Sequence, residues 1–100
     1  MITFGLNYDV KEAFIPEFVE ISRKVVEMMG SLEGHVNTRL YRDEFKPNSF
    51  LIYSEWETDE NFKNFIRSEE FKNVQNMSKD MLEDRPRHKV YETRNMMGRE

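Results

Sequence analysis

A chain of 100 residues has the length of one domain, and its net charge of −4, with scattered lysines and arginines, argues against nucleic acid or an anionic membrane as its main partner. The absence of cysteine excludes disulfide bonds, thiolate metal sites and cysteine nucleophiles. No apolar run approaches the ~18 residues that span a bilayer, and a strand-like pattern rather than a signal peptide opens the sequence, so we expect a cytoplasmic protein with no membrane partner.

Alternating apolar and polar residues predict a first strand over residues 2–10. Its second face is small or polar, and Asn7 stands there beside Gly5. An amide with space around it can hold a carbonyl or a bound quinol, so Asn7 is a candidate site residue; the alternative is a strand asparagine that bonds water or backbone. The tyrosines are assigned to sheet and interface positions: Tyr8, Tyr41, Tyr53 and Tyr91.

The apolar spacing then changes to that of a helix. The helical stripe begins at Phe14, and Pro16 fits the first turn because its missing N–H costs nothing there. Gly30 and Gly34 bracket the turn that ends this helix. The stripe contains Phe14, Phe18, Ile21, Val25 and Met28.

Two strands are predicted next, over residues 35–41 and 49–56, joined by a polar turn. His35 directly follows Gly34, and a histidine there can act as a general base near neutral pH. The alternative for His35 is an exposed turn residue. The second of these strands is apolar in both registers and ends at Trp56, the single tryptophan.

Two short helices are predicted over 59–67 and 69–83, because Thr58 and Ser68 are N-cap residues followed by acidic residues. Pro86 disfavours a helix before it, and 88–93 is predicted as a fourth strand. His88 with Arg85 and Arg87 can hold an anionic group such as a propionate or carboxylate; the alternative is a solvated turn.

The element order is β-α-β-β-α-β, an α+β ferredoxin-like arrangement with a four-stranded antiparallel sheet and its helices on one face. The third strand points apolar residues to both faces, Phe50 and Ile52 to one and Leu51 and Tyr53 to the other. A bare sheet face of this kind is an exposed apolar patch. We therefore predict a homodimer with two sheets face to face. Residues 1–95 form the single domain and 96–100 a flexible tail.

The segment "SEWE" followed by "ENFKNFIRSEEFKNV" resembles the antibiotic biosynthesis monooxygenase family of dimeric α+β barrels. The segments "EGHVNTRLYRD" and "RPRHKVYE" are also similar to that family, and the resemblance spans residues 2–92. It implies a dimeric α+β barrel. It leaves the activity open, because the family contains quinone-forming monooxygenases without metal or cofactor, heme-degrading oxygenases and autoinducer-processing enzymes.

The resemblance argues against heme degradation. The heme-degrading branch carries an asparagine on the first strand, a tryptophan in the second helical region and a histidine about ten residues later. Asn7 matches the asparagine, but Phe65 and Gln75 stand at the other two positions. Glutamine is not an imidazole-type axial ligand. Heme binding through His35 or His88 stays open.

The expected function is a cofactor-independent monooxygenase acting on a small aromatic or quinol substrate in an apolar pocket between helices and sheet. Asn7 is the candidate partner of the developing oxyanion, and His35 or His88 the candidate base. Trp56 is expected to anchor the sheet to the following helix, with a pocket role as the alternative. Two other functions stay open: a heme- or porphyrin-binding protein without degradative activity, and a dimeric binding or regulatory module without catalysis. The candidate ligand-binding residues are Phe18, Trp56, Phe62, Phe65 and Arg87.

Overall fold

The structure of this chain is a computed structural model that describes residues 1–92, except for the side chains at 88 and 89. The predicted tail at 96–100 and the predicted domain end at residue 95 lie outside the described residues. The last residue of the predicted fourth strand, Thr93, lies outside them as well.

The described elements follow the predicted order. Strand β1 (Ile2–Asp9) leads through a 3-10 turn (Glu12–Phe14) into helix α1 (Ile15–Met29). The next elements are strands β2 (His35–Arg42) and β3 (Ser49–Trp56), helices α2 (Asp59–Ile66) and α3 (Glu69–Ser78), a 3-10 turn (Lys79–Met81) and strand β4 (Arg87–Glu92).

The four strands form one antiparallel sheet in the order β2-β3-β1-β4. Leu6 of β1 lies opposite Ile52 of β3, so the two strands place their apolar side chains on the same face. The helices cover this face: the ring of Phe62 in α2 lies 5.1 Å from that of Phe4, and Phe18 in α1 lies 5.2 Å from Tyr8. The predicted α+β ferredoxin-like fold with helices on one face is therefore confirmed.

Both predicted caps of the second helical region are present. Thr58 Oγ1 accepts a hydrogen bond from the Asn61 N–H at 3.1 Å, and Ser68 Oγ accepts one from the Phe71 N–H at 3.2 Å. Each satisfies a backbone donor that has no partner within the helix. The split of this region into two helices is thus encoded by two hydroxyl residues.

Helix α3 ends at Ser78 instead of the predicted residue 83. Val10 forms a β-bridge with Leu82, and the Lys11 N–H donates to the Met81 carbonyl at 2.7 Å. The Glu83 N–H donates to the Asp9 carbonyl at 2.8 Å. The segment after Ser78 is therefore paired with the end of β1, and backbone groups paired in this way cannot continue a helix.

Candidate functional site

A cavity lies between the helix-covered face of the sheet and helices α1 and α3. It offers a volume of about 30 Å³ to the centres of water-sized molecules, which is room for about two waters. Its walls are almost entirely apolar, and four hydroxyl groups interrupt them. The lining residues discussed below are Tyr8, Phe18, Ser22, Ser54, Phe65 and Ser78.

Phe65 forms part of the aromatic wall of the cavity, and residues of the hydrophobic core lie behind its ring. The Phe65 ring stacks on Trp56 at 4.9 Å and 24°, and tilts against Phe71 at 4.8 Å. Trp56 itself is 0% exposed and does not line the cavity. Its indole N–H donates to Ser54 Oγ at 3.1 Å. This placement supports the anchoring role of Trp56 over the pocket role.

Of the other candidate ligand-binding residues, Phe18 lines the cavity and Phe62 does not. Phe62 packs against Phe4 in the core. Arg87 lies elsewhere: its Nη1 donates to Asp9 Oδ2 at 3.0 Å, outside the cavity. The predicted ligand-binding set is thus divided between cavity, core and sheet end.

Tyr8 is the cavity residue that the sequence analysis assigned to the sheet or interface. It shares the face of Phe4 and Leu6, and only 5% of its surface is exposed. Burial raises the pKa of the Tyr8 hydroxyl well above its usual range, because the charged phenolate is poorly solvated there. The signal was present in the sequence: the alternation of β1 places Tyr8 on its apolar face.

The candidate base His35 lies behind the cavity wall. Its Nε2 is 2.6 Å from Thr38 Oγ1, and its ring meets Trp56 edge-on at 5.2 Å. Thr38 Oγ1 donates in turn to the sulfur of Met29 at 3.8 Å, and Met29 lines the cavity. Burial lowers the pKa of His35, so its imidazole is neutral at pH 7.

Asn7 lies on the opposite face of the sheet from the cavity. Its Nδ2 donates to the Phe50 carbonyl at 3.4 Å, and it borders a shallow depression with Tyr41 and Leu51. The backbone of His88 pairs with Leu6, but its side chain lies outside the described residues. The structure therefore does not bring Asn7 and His35 together around one site.

The face that carries Asn7 is called the open sheet face, and no described helix packs on it. Its residues on β1 and β3 are Thr3, Gly5, Asn7, Asp9, Leu51, Tyr53 and Glu55. At its end Asp9 binds two cations: Arg87 as above, and Lys46, whose Nζ lies 3.5 Å from Asp9 Oδ1. The hydrogen bond from Arg87 holds the pKa of Asp9 below its usual range.

We expect Asp9→Asn to remove a component of stability that depends on pH. Since the folded state lowers the pKa of Asp9, its carboxylate stabilises the fold above the unfolded pKa of about 3.9, and the effect disappears as pH falls through the folded pKa. Melting temperatures of wild type and Asp9→Asn should differ at pH 7, begin to approach each other below about pH 4, and converge once the pH lies below the folded pKa of Asp9. Glu33→Gln, at an exposed position, is the control. A difference that persists unchanged at pH 2 would contradict this assignment.

Among residues 1–92 as described, no group of three or more histidine, aspartate or glutamate side chains is placed to hold a metal ion. Within the same part of the chain, every helix is too short or too polar to cross a bilayer.

Solved structures of other proteins share this fold. A conserved protein from Methanosarcina mazei Go1 superposes with a TM-score of 0.88 at 20% identity, covering 93% of this chain and 92% of that one. SnoaB, a cofactor-independent oxygenase from Streptomyces nogalater solved as a point mutant, superposes with a TM-score of 0.85 at 18% identity, covering 98% and 97%. At these identities the likeness establishes the fold alone.

Curated relatives are more similar in sequence and much longer. The chain is 34% identical over 86 residues to a "Putative heme-binding protein" of Natronomonas pharaonis, and 33% identical over 86 residues to one of Halobacterium salinarum. The match covers 86% of this chain in both cases, but only 14% and 18% of those proteins. The chain thus spans less than a fifth of the length of these relatives.

The family model of antibiotic biosynthesis monooxygenase matches residues 1–77, which include both central strands, α1, α2 and most of α3. The chain belongs to the antibiotic biosynthesis monooxygenase family.

Proposed function

We propose that this chain is a monooxygenase domain that oxidises a small aromatic or quinol substrate without a metal or organic cofactor. The observation that carries the proposal is the enclosed, apolar cavity between sheet and helices, with aromatic walls and a few hydroxyls. Once a wall moves to enlarge it, such a site can bind an aromatic ring by burial and orient it with few polar groups. Family membership supports the same reading, as does the oxygenase activity named for the fold relative SnoaB.

The chemistry requires a dry pocket more than a reactive side chain. A phenol or quinol loses a proton, and its carbanion-like form donates an electron to dioxygen. Oxygen then adds to a ring carbon that carries two hydrogens in the keto form, and the peroxide loses water. One oxygen atom ends in a new carbonyl, and the other leaves as water with the two hydrogens. An apolar wall prevents water from reprotonating the carbanion.

His35 is the proposed base among the described side chains. Its lowered pKa leaves a neutral imidazole that can accept a proton at pH 7. In the closed cavity Thr38 and Met29 separate it from the ligand space. A substrate that displaces the flexible Met29 side chain would reach the imidazole.

Helix α3 is the proposed movable wall. The closed cavity is too small for an aromatic ring, so substrate entry requires a wall to move. Only Ser78 of α3 is fully buried, while α1 buries Phe18, Ser22 and Met29. An element with few buried residues opens at low free-energy cost.

The names of the long relatives favour heme as a second candidate ligand, but the described cavity residues do not fit a heme. They include no imidazole or thiolate, and Gln75 is exposed. A tyrosine can supply an axial oxygen to heme iron as its phenolate, but the raised pKa of Tyr8 opposes that form.

Oxygen uptake with a panel of hydroquinones and naphthols tests the proposal, with EDTA present to remove adventitious metal. We expect each molecule of dioxygen consumed to place one oxygen atom in a new ring carbonyl of the product and to release the other as water, without hydrogen peroxide. Val25→Phe, which fills the cavity, should abolish turnover, whereas Val19→Phe on the exposed side of the same helix should not.

The parallel experiment is a hemin titration. A sharp Soret band saturating at one equivalent, with no oxygen uptake on any panel member, would replace this proposal with heme binding.

The chain is expected to be a homodimer through the open sheet face. Leu51 and Tyr53 lie there, and Tyr41 beside them is 48% exposed with its ring 6.4 Å from that of Tyr53. A second copy is the simplest cover for this apolar surface. Analytical ultracentrifugation at micromolar concentration should return twice the chain mass of 12.1 kDa. Leu51→Arg should shift the mass to the monomer and Val19→Arg should not; a wild-type mass of 12.1 kDa would contradict the prediction.

A further inference from the structure

A buried phenol in the cavity wall has no partner in the described part of the protein. Tyr8 is 5% exposed and lines the cavity, and no hydrogen bond joins its hydroxyl to another described residue. Among the described residues, the side-chain atom that is fully buried without a hydrogen-bond partner is Asp9 Oδ1, so the Tyr8 hydroxyl oxygen keeps some accessible surface. A hydroxyl that lines an apolar cavity and has no protein partner is available to a ligand or a water molecule.

Two of the other three hydroxyls that line the cavity, those of Ser54 and Ser78, are hydrogen-bonded within the protein. Ser54 Oγ accepts from the Trp56 indole N–H at 3.1 Å, and Ser78 Oγ donates to the Val74 carbonyl at 2.9 Å. Tyr41 and Tyr91 are 48% and 52% exposed, so water can satisfy their hydroxyls. Tyr8 and Ser22, 5% and 3% exposed, are the two cavity residues whose hydroxyls have no hydrogen-bond partner among the described residues, and Tyr8 is the aromatic one of the two.

The surroundings of Tyr8 decide what its hydroxyl can offer. The Phe18 ring lies 5.2 Å from the Tyr8 ring, and the neighbouring strand residues Phe4 and Leu6 are buried and apolar. Burial raises the pKa of Tyr8, so the hydroxyl keeps its proton at physiological pH. A protonated phenol in an apolar cavity is a hydrogen-bond donor for an oxygen atom on a ligand.

We propose that the cavity accepts a compact aromatic molecule bearing a ring oxygen, as phenol hydroxyl or quinone carbonyl, and that Tyr8 donates its hydroxyl hydrogen to that oxygen. This names the recognition element of the site and rests on the proposed function for the reaction that follows binding. During that reaction negative charge develops on the ring oxygen, and a hydrogen bond from Tyr8 strengthens as the charge grows.

Phenol and benzene are the matched probes, because they differ by the oxygen alone. Their binding to wild type, Tyr8→Phe and the control Tyr41→Phe is followed by chemical-shift titration of the backbone amides. We expect Tyr8→Phe to weaken phenol binding about 3- to 10-fold, the range of one neutral hydrogen bond, and to leave benzene binding unchanged. Tyr41→Phe should bind both probes like wild type.

Tyr8→Phe keeps the ring and its contact with Phe18, so its melting temperature should not fall. Equal changes for both probes, no change for phenol, no binding of either probe up to its solubility, or a melting temperature lower by several degrees would each overturn the inference. A phenol-specific loss without oxygen uptake on the quinol panel would overturn the monooxygenase proposal alone. Oxygen uptake with an unchanged phenol-to-benzene ratio in Tyr8→Phe would overturn this inference alone.

Discussion

Replacing Trp56 with alanine is expected to lower the free energy of unfolding by about 3–5 kcal/mol. The indole is 0% exposed, stacks on Phe65 and donates its N–H to Ser54 Oγ. Alanine removes all of these contacts and leaves a cavity beside the end of β3. A domain of this size has about 5–15 kcal/mol of stability in total, so the variant should melt far below wild type or fail to fold.

Trp56→Phe is the matched control. It keeps most of the stacking surface against Phe65 and loses the hydrogen bond to Ser54, so we expect a loss of about 1 kcal/mol. Thermal and urea unfolding of the two variants measure both effects. If Trp56→Ala melts like wild type while turnover of a quinol falls, Trp56 belongs to the ligand site and the anchoring role is wrong.

Gly34→Ala is expected to destabilise the protein by about 1–3 kcal/mol through backbone strain, and a steric clash adds to this cost. Gly34 has a φ of +77°, which disfavours any residue with a Cβ. An added Cβ would also collide with Cγ and Oδ1 of Asn61, in the first turn of α2. The Gly34 carbonyl accepts from the Glu57 N–H at 2.8 Å, so relieving the clash would disturb the connection between β3 and α2.

Gly30→Ala is the control for the loss of a glycine as such. Gly30 has a φ of −59° and ψ of −20°, in the right-handed helical region, and an alanine there meets only the Glu27 carbonyl at 3.3 Å. We expect its melting temperature to stay within a few degrees of wild type. Chemical denaturation of both variants is sufficient; equal stability of Gly34→Ala and Gly30→Ala would show that the turn can rearrange without cost.

The predicted elements agree with the structure wherever their signals are local. The change of apolar period from two to that of a helix separates β1 from α1, because the two backbones place side chains at different angles. Thr58 and Ser68 mark the starts of α2 and α3 by capping backbone N–H groups within three residues. A local hydrogen bond can be read from neighbouring residues alone.

The end of α3 was predicted wrongly for the opposite reason. Residues 81–83 pair with the end of β1, which lies at the other end of the chain. No local pattern reports such a partner. Backbone pairing that satisfies N–H and carbonyl groups elsewhere overrides the helical spacing of the side chains.

Local signals along the chain were sufficient to predict the element order, the two faces of each strand and the family, because alternation, capping and motif spacing depend on neighbouring residues. Which residues surround the cavity became clear from the packing of the folded chain. It separated Phe65, which lines the cavity, from Trp56 behind it, and placed Tyr8 inside and Asn7 on the opposite face. A cavity is what remains where α1, α3 and the sheet fail to touch, and that depends on how side chains distant in sequence pack together.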